Sequence, residues 1–245
     1  MSKQLRMFLY GFVSFNILWL ILAVCINSDA LTSPIDVYKS IGNTVTTTML
    51  THIIASSFRI LISLIISLII AIPIGIIIAD QPRINKIVSP LLYFSYPIPK
   101  LALLPIVMLL MGIGEAAKIT MLVLILVFQI IVAVRDGIFN IPRENYNVLT
   151  SLGASKTQVL RWLTFPAILP EILTSMRIAI GTAVSVLFFT ETFGTDYGLG
   201  FYIVDAWMRL AYTEMYSGIL ILSLLGFIFF FAIDLLSFKL CKWKE

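Results

Sequence analysis

The side chains that most often bind metals or act as nucleophiles near neutral pH are almost absent from this chain. It has one histidine, His52, and two cysteines, Cys25 and Cys241, in 245 residues. His52 has no second histidine or cysteine near it in sequence, so no metal site is expected. The cysteines stand at opposite ends of the chain and imply no disulfide framework. No GxxxxGK[ST] phosphate loop occurs, so the chain is not expected to hydrolyse ATP itself. The apolar segments hold neither a nucleophile with a histidine nor a carboxylate pair, as an intramembrane protease would need. We therefore expect no catalytic residue and no cofactor.

The residues with informative spacing point instead to docking and movement. Pro97, Pro99 and Pro105 share one apolar run, with Lys100 among them. Each proline removes a backbone donor, and a helix kinked this way is tolerated at membrane depth only where protein or a water-lined cavity satisfies the freed carbonyls. The run is a candidate pathway helix, with an ordinary kinked packing helix as the alternative. Lys100 is a candidate pathway residue because an intramembrane ammonium is costly, although its long stem can also snorkel to an interface. Glu191, ahead of Gly198-Leu199-Gly200, suits solute contact or a hydrogen-bonding role in a turn. Asp234 reads as a partner for a basic neighbour, and Arg177 as interfacial.

These residues must be positioned by membrane helices. Hydrophobic residues make up 60% of the chain and charged ones 12%, and mean hydropathy is +1.02, more apolar surface than one soluble core can hide. The net charge of +4 is spread between apolar runs rather than gathered on one face, which argues against nucleic acid. Met7 to Ile26 follows Lys3 and Arg6 as a signal peptide would. It is longer than the usual apolar region, and Cys25-Ile26-Asn27-Ser28 is not a small-x-small cleavage site, so we read a retained span.

A helix needs roughly 20 apolar residues to cross about 30 Å of hydrocarbon. Six runs meet or approach that length: Met7 to Ile26, Ile60 to Ala79, Leu91 to Gly112, Ile119 to Val134, Ile172 to Thr190 and Ser217 to Phe238. With the N-terminus inside, eleven basic residues fall on the cytoplasmic side, namely Lys3, Arg6, Arg83, Lys86, Arg135, Arg143, Lys156, Arg161, Lys239, Lys242 and Lys244. Four fall outside: Lys39, Arg59, Lys118 and Arg209. Retention of Lys and Arg in the cytoplasm then puts both termini there.

Between the spans, Val37 to Ile54 suits a helix lying on the outer membrane surface. Asp136 to Ala167, inside, spaces Ile138, Val148, Leu149, Leu152, Val159, Leu160 and Leu163 in an amphipathic helical pattern interrupted by Gly153. Two short helices around a glycine that accepts positive φ form an elbow with an apolar edge for a partner. Pro166 and Pro170 are expected to end its second helix and set the entry of the next span. No internal repeat suggests inverted halves.

The elbow resembles the cytoplasmic signature of ABC-importer permeases, which reads Glu-Ala-Ala, three residues, Gly, nine residues, Ile, one residue, Leu-Pro. Here Gly153, Leu163, Phe165 and Pro166 keep that spacing, while Asn147, Val148 and Leu149 stand in the Glu-Ala-Ala places. A literal Glu115-Ala116-Ala117 is a decoy, with Met121 where the glycine belongs. Ser56-Ser57-Phe58-Arg59, Pro73-Ile74-Gly75, the stretch Tyr96 to Pro105, Gly112 to Ala116, Thr190-Glu191-Thr192-Phe193 and Gly198-Leu199-Gly200 together resemble the nitrate, taurine and sulfonate permease group. The resemblance covers roughly Thr51 to Lys239.

It implies an all-α integral membrane protein with six transmembrane helices and the type I ABC-importer permease fold, carrying cytoplasmic coupling helices. Residues 1–50 are then the first span and outer segment, and 51–245 the permease domain, with the coupling elbow at about 136–166. The implied ATPase-coupling residues are Asn147, Val148, Leu149, Gly153, Ala154, Ser155, Leu163 and Pro166; the pathway candidates are Pro97, Pro99, Lys100, Pro105 and Glu191. The implied partners are a second permease copy, forming a homodimer, two ATP-binding cassette subunits, an extracytoplasmic solute-binding protein and membrane lipid. The setting is a bacterial inner or plasma membrane. The substrate class is a small anion such as a sulfonate, taurine or nitrate, with a pyrimidine vitamin precursor as the alternative. A stand-alone secondary transporter would instead show repeats and coupling-ion residues deep in its spans, and a channel or scaffold would need no elbow.

Overall fold

The computed structural model describes residues 3–44, 47–95 and 97–244. Tyr96, at the head of the proline-rich motif, lies outside them. No strand occurs among the described residues, as expected where no water can satisfy an open backbone. The chain runs through α1 (Lys3–Ile26), α2 (Pro34–Thr44), α3 (Thr47–Asp80), α4 (Pro82–Ser95), α5 (Leu104–Met111), α6 (Glu115–Phe139), α7 (Arg143–Ser151), α8 (Lys156–Val159), α9 (Phe165–Glu191), α10 (Leu199–Met208) and α11 (Tyr212–Leu240).

Four uninterrupted helical stretches are long and apolar enough to span: Met49–Asp80, Glu115–Phe139, Lys156–Glu191 and Tyr212–Leu240. The expected third span is bent as its prolines predict, α4 and the segment Lys100–Met111 meeting at 88° across them. The expected first span lies within α1. At its far end, the Trp19 indole donates to the Thr32 carbonyl at 3.1 Å and packs on Tyr216.

The core forms where α6 packs along both α3 and α9. Ile60, Ala71 and Ile78 on α3 meet Met121, Leu122, Leu126 and Ile130 on α6, and Ala179, Ile180 and Leu187 on α9, all buried. Gly75 sets the closest approach. A Cβ there would stand 2.7 Å from the Val134 side chain and 3.1 Å from the Ile131 carbonyl, so any larger residue would push α3 off α6. In contrast, α11 turns Leu224, Phe227, Ile228, Phe231, Leu235 and Phe238 outward, an uninterrupted apolar face suited to lipid.

Two expectations fail. Val37 to Ile54 is not all surface: the spanning helix is already under way at Thr47, while residues 45–46 lie outside the described ones. The apolar run does begin near Ile60, but backbone hydrogen bonding continues more than two turns further, because His52, Ser56 and Arg59 pack inward instead of meeting water. Arg59 and Lys118 are accordingly buried rather than in open outer segments.

Pro166 and Pro170 do not end a helix. Lys156 to Glu191 is one helical stretch, with a π-turn over Leu160–Thr164 immediately before Pro166. The Phe165 amide bonds to the Leu160 carbonyl, five residues back, and the widened turn accommodates the proline ring and its missing donor. Pro170 lies inside α9.

Candidate functional site

The elbow is built from local signals. α7 closes with Gly153 at φ +77°, in the left-handed region that glycine accepts without penalty. The Gly153 amide donates to the Thr150 carbonyl at 2.9 Å and the Ala154 amide to the Leu149 carbonyl at 3.0 Å, the paired bonds of a Schellman stop. Ser155 then opens α8 with a capping box. Its hydroxyl accepts from the Gln158 amide, and its own amide donates to the Gln158 side chain at 2.7 Å. A Cβ on Gly153 would meet nothing within 4 Å, so this glycine is required for its φ rather than for space.

The turn exposes what it should hide. Leu149, Leu152, Gly153, Ala154, Gln158 and Trp162 line a cleft of about 270 Å³. Leu152 is 78% exposed and Trp162 69%, large apolar groups that mark a docking surface when clustered. The sequence-predicted residues divide. Asn147 to Ser155 gather on α7 and the turn, whereas Leu163 and Pro166 are half-buried at the base of α9 and position the elbow from below. Trp162, with Arg161 stacked 5.4 Å over its ring, completes the exposed edge and was not singled out. Its signal was a tryptophan placed where its side chain extends the Leu149–Leu152 edge.

At the broken span, the structure brings together Pro97, Pro99, Lys100 and Pro105. Pro105 occupies the first turn of α5, where a missing donor costs nothing. The Lys100 ammonium donates to the Ser95 carbonyl at 2.8 Å, capping the end of α4, and lies 5.2 Å over the Phe128 ring of α6. Asp234 finds the expected basic partner in Arg177, at 2.5 Å.

Glu191 lies elsewhere, at the end of the bundle opposite the elbow, in a cluster whose assembly the sequence did not reveal. His52, Ser56, Arg59, Ser63 and Ser67 recur at helical spacing and form one buried polar stripe along α3. That periodicity was the available signal. Arg59 reaches from Glu191, fully buried on α9, to Glu115, half-exposed at the start of α6. Its guanidinium donates to Glu191 at 2.6 Å, to Glu115 through Nε at 2.7 Å and to the Tyr197 carbonyl at 2.9 Å.

The same groups strap down the segment leading into α10. The Ser56 hydroxyl donates to Glu191 and accepts from the Leu199 amide at 2.8 Å. The Gly200 amide donates to Glu191 at 2.8 Å, and the Gly198 amide to His52 Nδ1 at 3.1 Å. The Lys118 ammonium holds the Gly194 carbonyl at 3.1 Å. A Cβ on Gly198 would stand 2.5 Å from the Glu191 carboxyl carbon, and one on Gly200 2.6 Å from the Phe188 carbonyl, so this approach is open only to glycine. On α10, outside the spans, burial pushes the Tyr202 phenol up to about 12.

No group of histidine, cysteine or carboxylate side chains able to hold a metal occurs among the described residues. The arrangement therefore consists of a docking edge at one end, a satisfied ionic cluster at the other and a broken span between them.

Comparison with known proteins fits that arrangement. The chain is 32% identical over 196 residues to the taurine transport system permease protein TauC of Escherichia coli, covering 80% of this chain and 71% of that one. It is 31% identical over 235 residues to the formylaminopyrimidine transport permease protein ThiX of Halalkalibacterium halodurans, covering 96% and 94%. Its fold matches a chain of the MetNI methionine ABC transporter in an inward-facing conformation with a TM-score of 0.69 at 21% identity, over 79% of this chain and 96% of that one. The family model of the binding-protein-dependent transport system inner membrane component matches residues 71–241, most of the chain and every span after the first half of α3. This protein belongs to that family.

Proposed function

We propose that this permease works as a pair of identical copies enclosing one solute passage, with its elbow inserted into an ATP-binding subunit on the cytoplasmic side and the Glu191 end facing a solute-binding protein outside. The carrying observation is the elbow. A rigid, self-capped turn presents Leu152 and Trp162 to solvent with no partner of its own chain over them. Closure of the two ATPases on ATP draws the paired elbows together and tilts α6 and α9, which flank the elbow directly. For that tilt to occur, the ATP-bound state must bind one arrangement more tightly than the other. ATP hydrolysis belongs to the partner subunit.

The favoured substrate class is a small anion of the taurine or sulfonate kind. The end-to-end match to a formylaminopyrimidine permease favours a pyrimidine precursor as the second reading.

The test is copurification in mild detergent. The wild-type protein should retain an ATP-binding subunit and show solute-stimulated hydrolysis. Gly153→Val forces a β-branched residue to φ +77°, a strain of ~1–3 kcal/mol that weakens docking by one to two powers of ten while the spans stay folded. Wild-type retention, hydrolysis and uptake in that variant would show that the elbow does not couple. In a Cys25→Ser, Cys241→Ser background, a cysteine at Asn43 should react with impermeant maleimide from outside and one at Lys156 only after lysis. The reverse pattern would overturn the orientation.

A further inference from the structure

The first half of the broken span is held to the bundle by polar groups, where α3, α6 and α9 are held to one another by apolar packing. Leu92 is the one buried residue of α4, while Ile87, Leu91, Tyr93 and Phe94 are exposed. A single residue, Gln81, joins α4 to α3. Among the described residues, the hydrogen bonds between side chains of α4 and α6 all involve Arg135.

Arg135 is 3% exposed and stands at the elbow end of α6, one turn before Phe139. Its Nε donates to Asp136 at 2.8 Å and its Nη1 to the Ser89 hydroxyl at 2.9 Å. Nη2 points to the Tyr93 hydroxyl at 3.5 Å, and the guanidinium lies 5.5 Å over the Tyr93 ring. One edge of the planar fork is thus spent on its own helix and the other on α4, a geometry that the point charge of a lysine does not reproduce. Ser89 passes the bond on to Asn85, so the grip takes in a full turn of α4.

The end of α6 that carries Arg135 is packed tightly on both sides. Val134, the preceding residue, is the one a Cβ on Gly75 of α3 would strike at 2.7 Å, and a Cβ on Gly137 would stand 3.4 Å from Glu171 of α9. At this level α3, α6 and α9 form one close-packed body, and the elbow springs from it. By contrast, α4 is a lever. Its pivot is Gln81, and at 1.5 Å per residue Ser89 and Tyr93 stand roughly 10 Å and 16 Å along the arm. An arm gripped that far from its pivot takes its angle from the grip, and it ends at the prolines where the span bends by 88°.

We propose that Arg135 is the positioning residue through which the elbow sets the broken span. Displacement of the elbow end of α6 is carried by the guanidinium to α4, and by α4 to the bend at Pro97 and Pro99. This rests on the permease reading above and adds to it the residue that hands motion from the elbow-bearing body to the jointed helix. A few charge-assisted, directional bonds suit that task, because they fix the angle of the arm while its exposed apolar faces remain free to slide.

The experiment uses the full complex with its ATP-binding subunit in lipid nanodiscs, in a Cys25→Ser, Cys241→Ser background. Spin labels are placed at Phe94→Cys on α4 and Leu224→Cys on α11, both exposed positions, and labelled chain is diluted with an excess of unlabelled chain so that within-chain distances dominate. The distance distribution is measured without nucleotide and after trapping with ATP and vanadate. In the wild type the distribution should shift between the two states. In Arg135→Gln the shifted population should fall roughly tenfold, the effect of losing one charge-assisted hydrogen bond, while ATP hydrolysis and subunit retention continue. Arg135→Lys should recover the shift only in part. Ser89→Ala with Tyr93→Leu removes the receiving groups and leaves Arg135 with Asp136, so it should reproduce the loss and decides the matter if Arg135→Gln fails to assemble. A residue that only stabilised the fold would lower the yield of complex and leave the shift intact. A wild-type shift in the α4 double variant, or no shift in a wild type that hydrolyses ATP, would overturn the inference. Failure of the wild type to retain an ATP-binding subunit would instead defeat the permease arrangement on which it rests.

Discussion

The elbow and the Glu191 cluster lie at opposite ends of the same two helices, α6 and α9, and are stabilised in opposite ways. The elbow satisfies its backbone locally, within residues 148–159, and leaves its apolar side chains in water. The cluster is held mainly across the chain. The bonds from α3 to Glu191 and to the approach of α10 join residues 132 to 146 positions apart, and its side chains are buried except that of Glu115. Glycine marks both, for different reasons: Gly153 supplies a backbone angle in open space, and Gly198 supplies absence of a side chain where Glu191 and Arg59 already stand. An incomplete surface built on a self-sufficient backbone is made to receive a partner. A self-complete cluster is made to hold its own chain together.

The largest effect that separates them is expected at Glu191. Replacing it with alanine leaves the Arg59 charge buried with Glu115 alone and releases the Ser56 and Gly200 bonds, a loss of about 3–5 kcal/mol. Detergent unfolding followed by circular dichroism should show it, and a variant as stable as wild type would remove the cluster from the account of how α3 and α9 are joined. Gly198→Ala should follow. Its Cβ clashes with two charged groups at a φ of +133°, and strain of this kind costs about 1–3 kcal/mol. Gly153→Ala, which meets an unfavourable angle but no neighbour, should cost about 1 kcal/mol. If the two glycines proved equally costly, the distinction between angle and space would be wrong. The smallest effect is expected from Ser155→Ala, about 1 kcal/mol at most from the lost cap. Hydrogen exchange should quicken at Gln158 and its neighbours with no change in global unfolding.

The elbow was legible in the sequence because its determinants are short-range: a glycine at a fixed distance from a proline, within an amphipathic pattern. The broken span was legible for the same reason, since Pro97 and Pro99 declare themselves. The cluster was not, because a hydropathy window averages Arg59 into the apolar run that follows it and so places it at a boundary. Helical spacing hints at a shared face, and the pairing of α3 with α9 shows that His52, Ser56 and Arg59 turn it inward. The Pro166 helix end failed from the opposite cause. A local rule was applied where an adjustment of the preceding turn could absorb the proline, and sequence spacing carries no trace of that adjustment.

That adjustment has a consequence for how the elbow is aimed. An α-helix advances about 100° per residue, so the π-turn over Leu160–Thr164 inserts one residue without lengthening the rod and shifts the phase of everything before it. A Cβ on Gly153 would meet nothing within 4 Å, so no side-chain packing at that position steers the turn. The compass bearing of Leu152 and Trp162 is therefore set by counting, like the setting of a screw thread. A one-residue deletion in that turn would heal the helix and leave every span in place, yet swing the docking edge about a quarter-turn away from whatever it is built to meet.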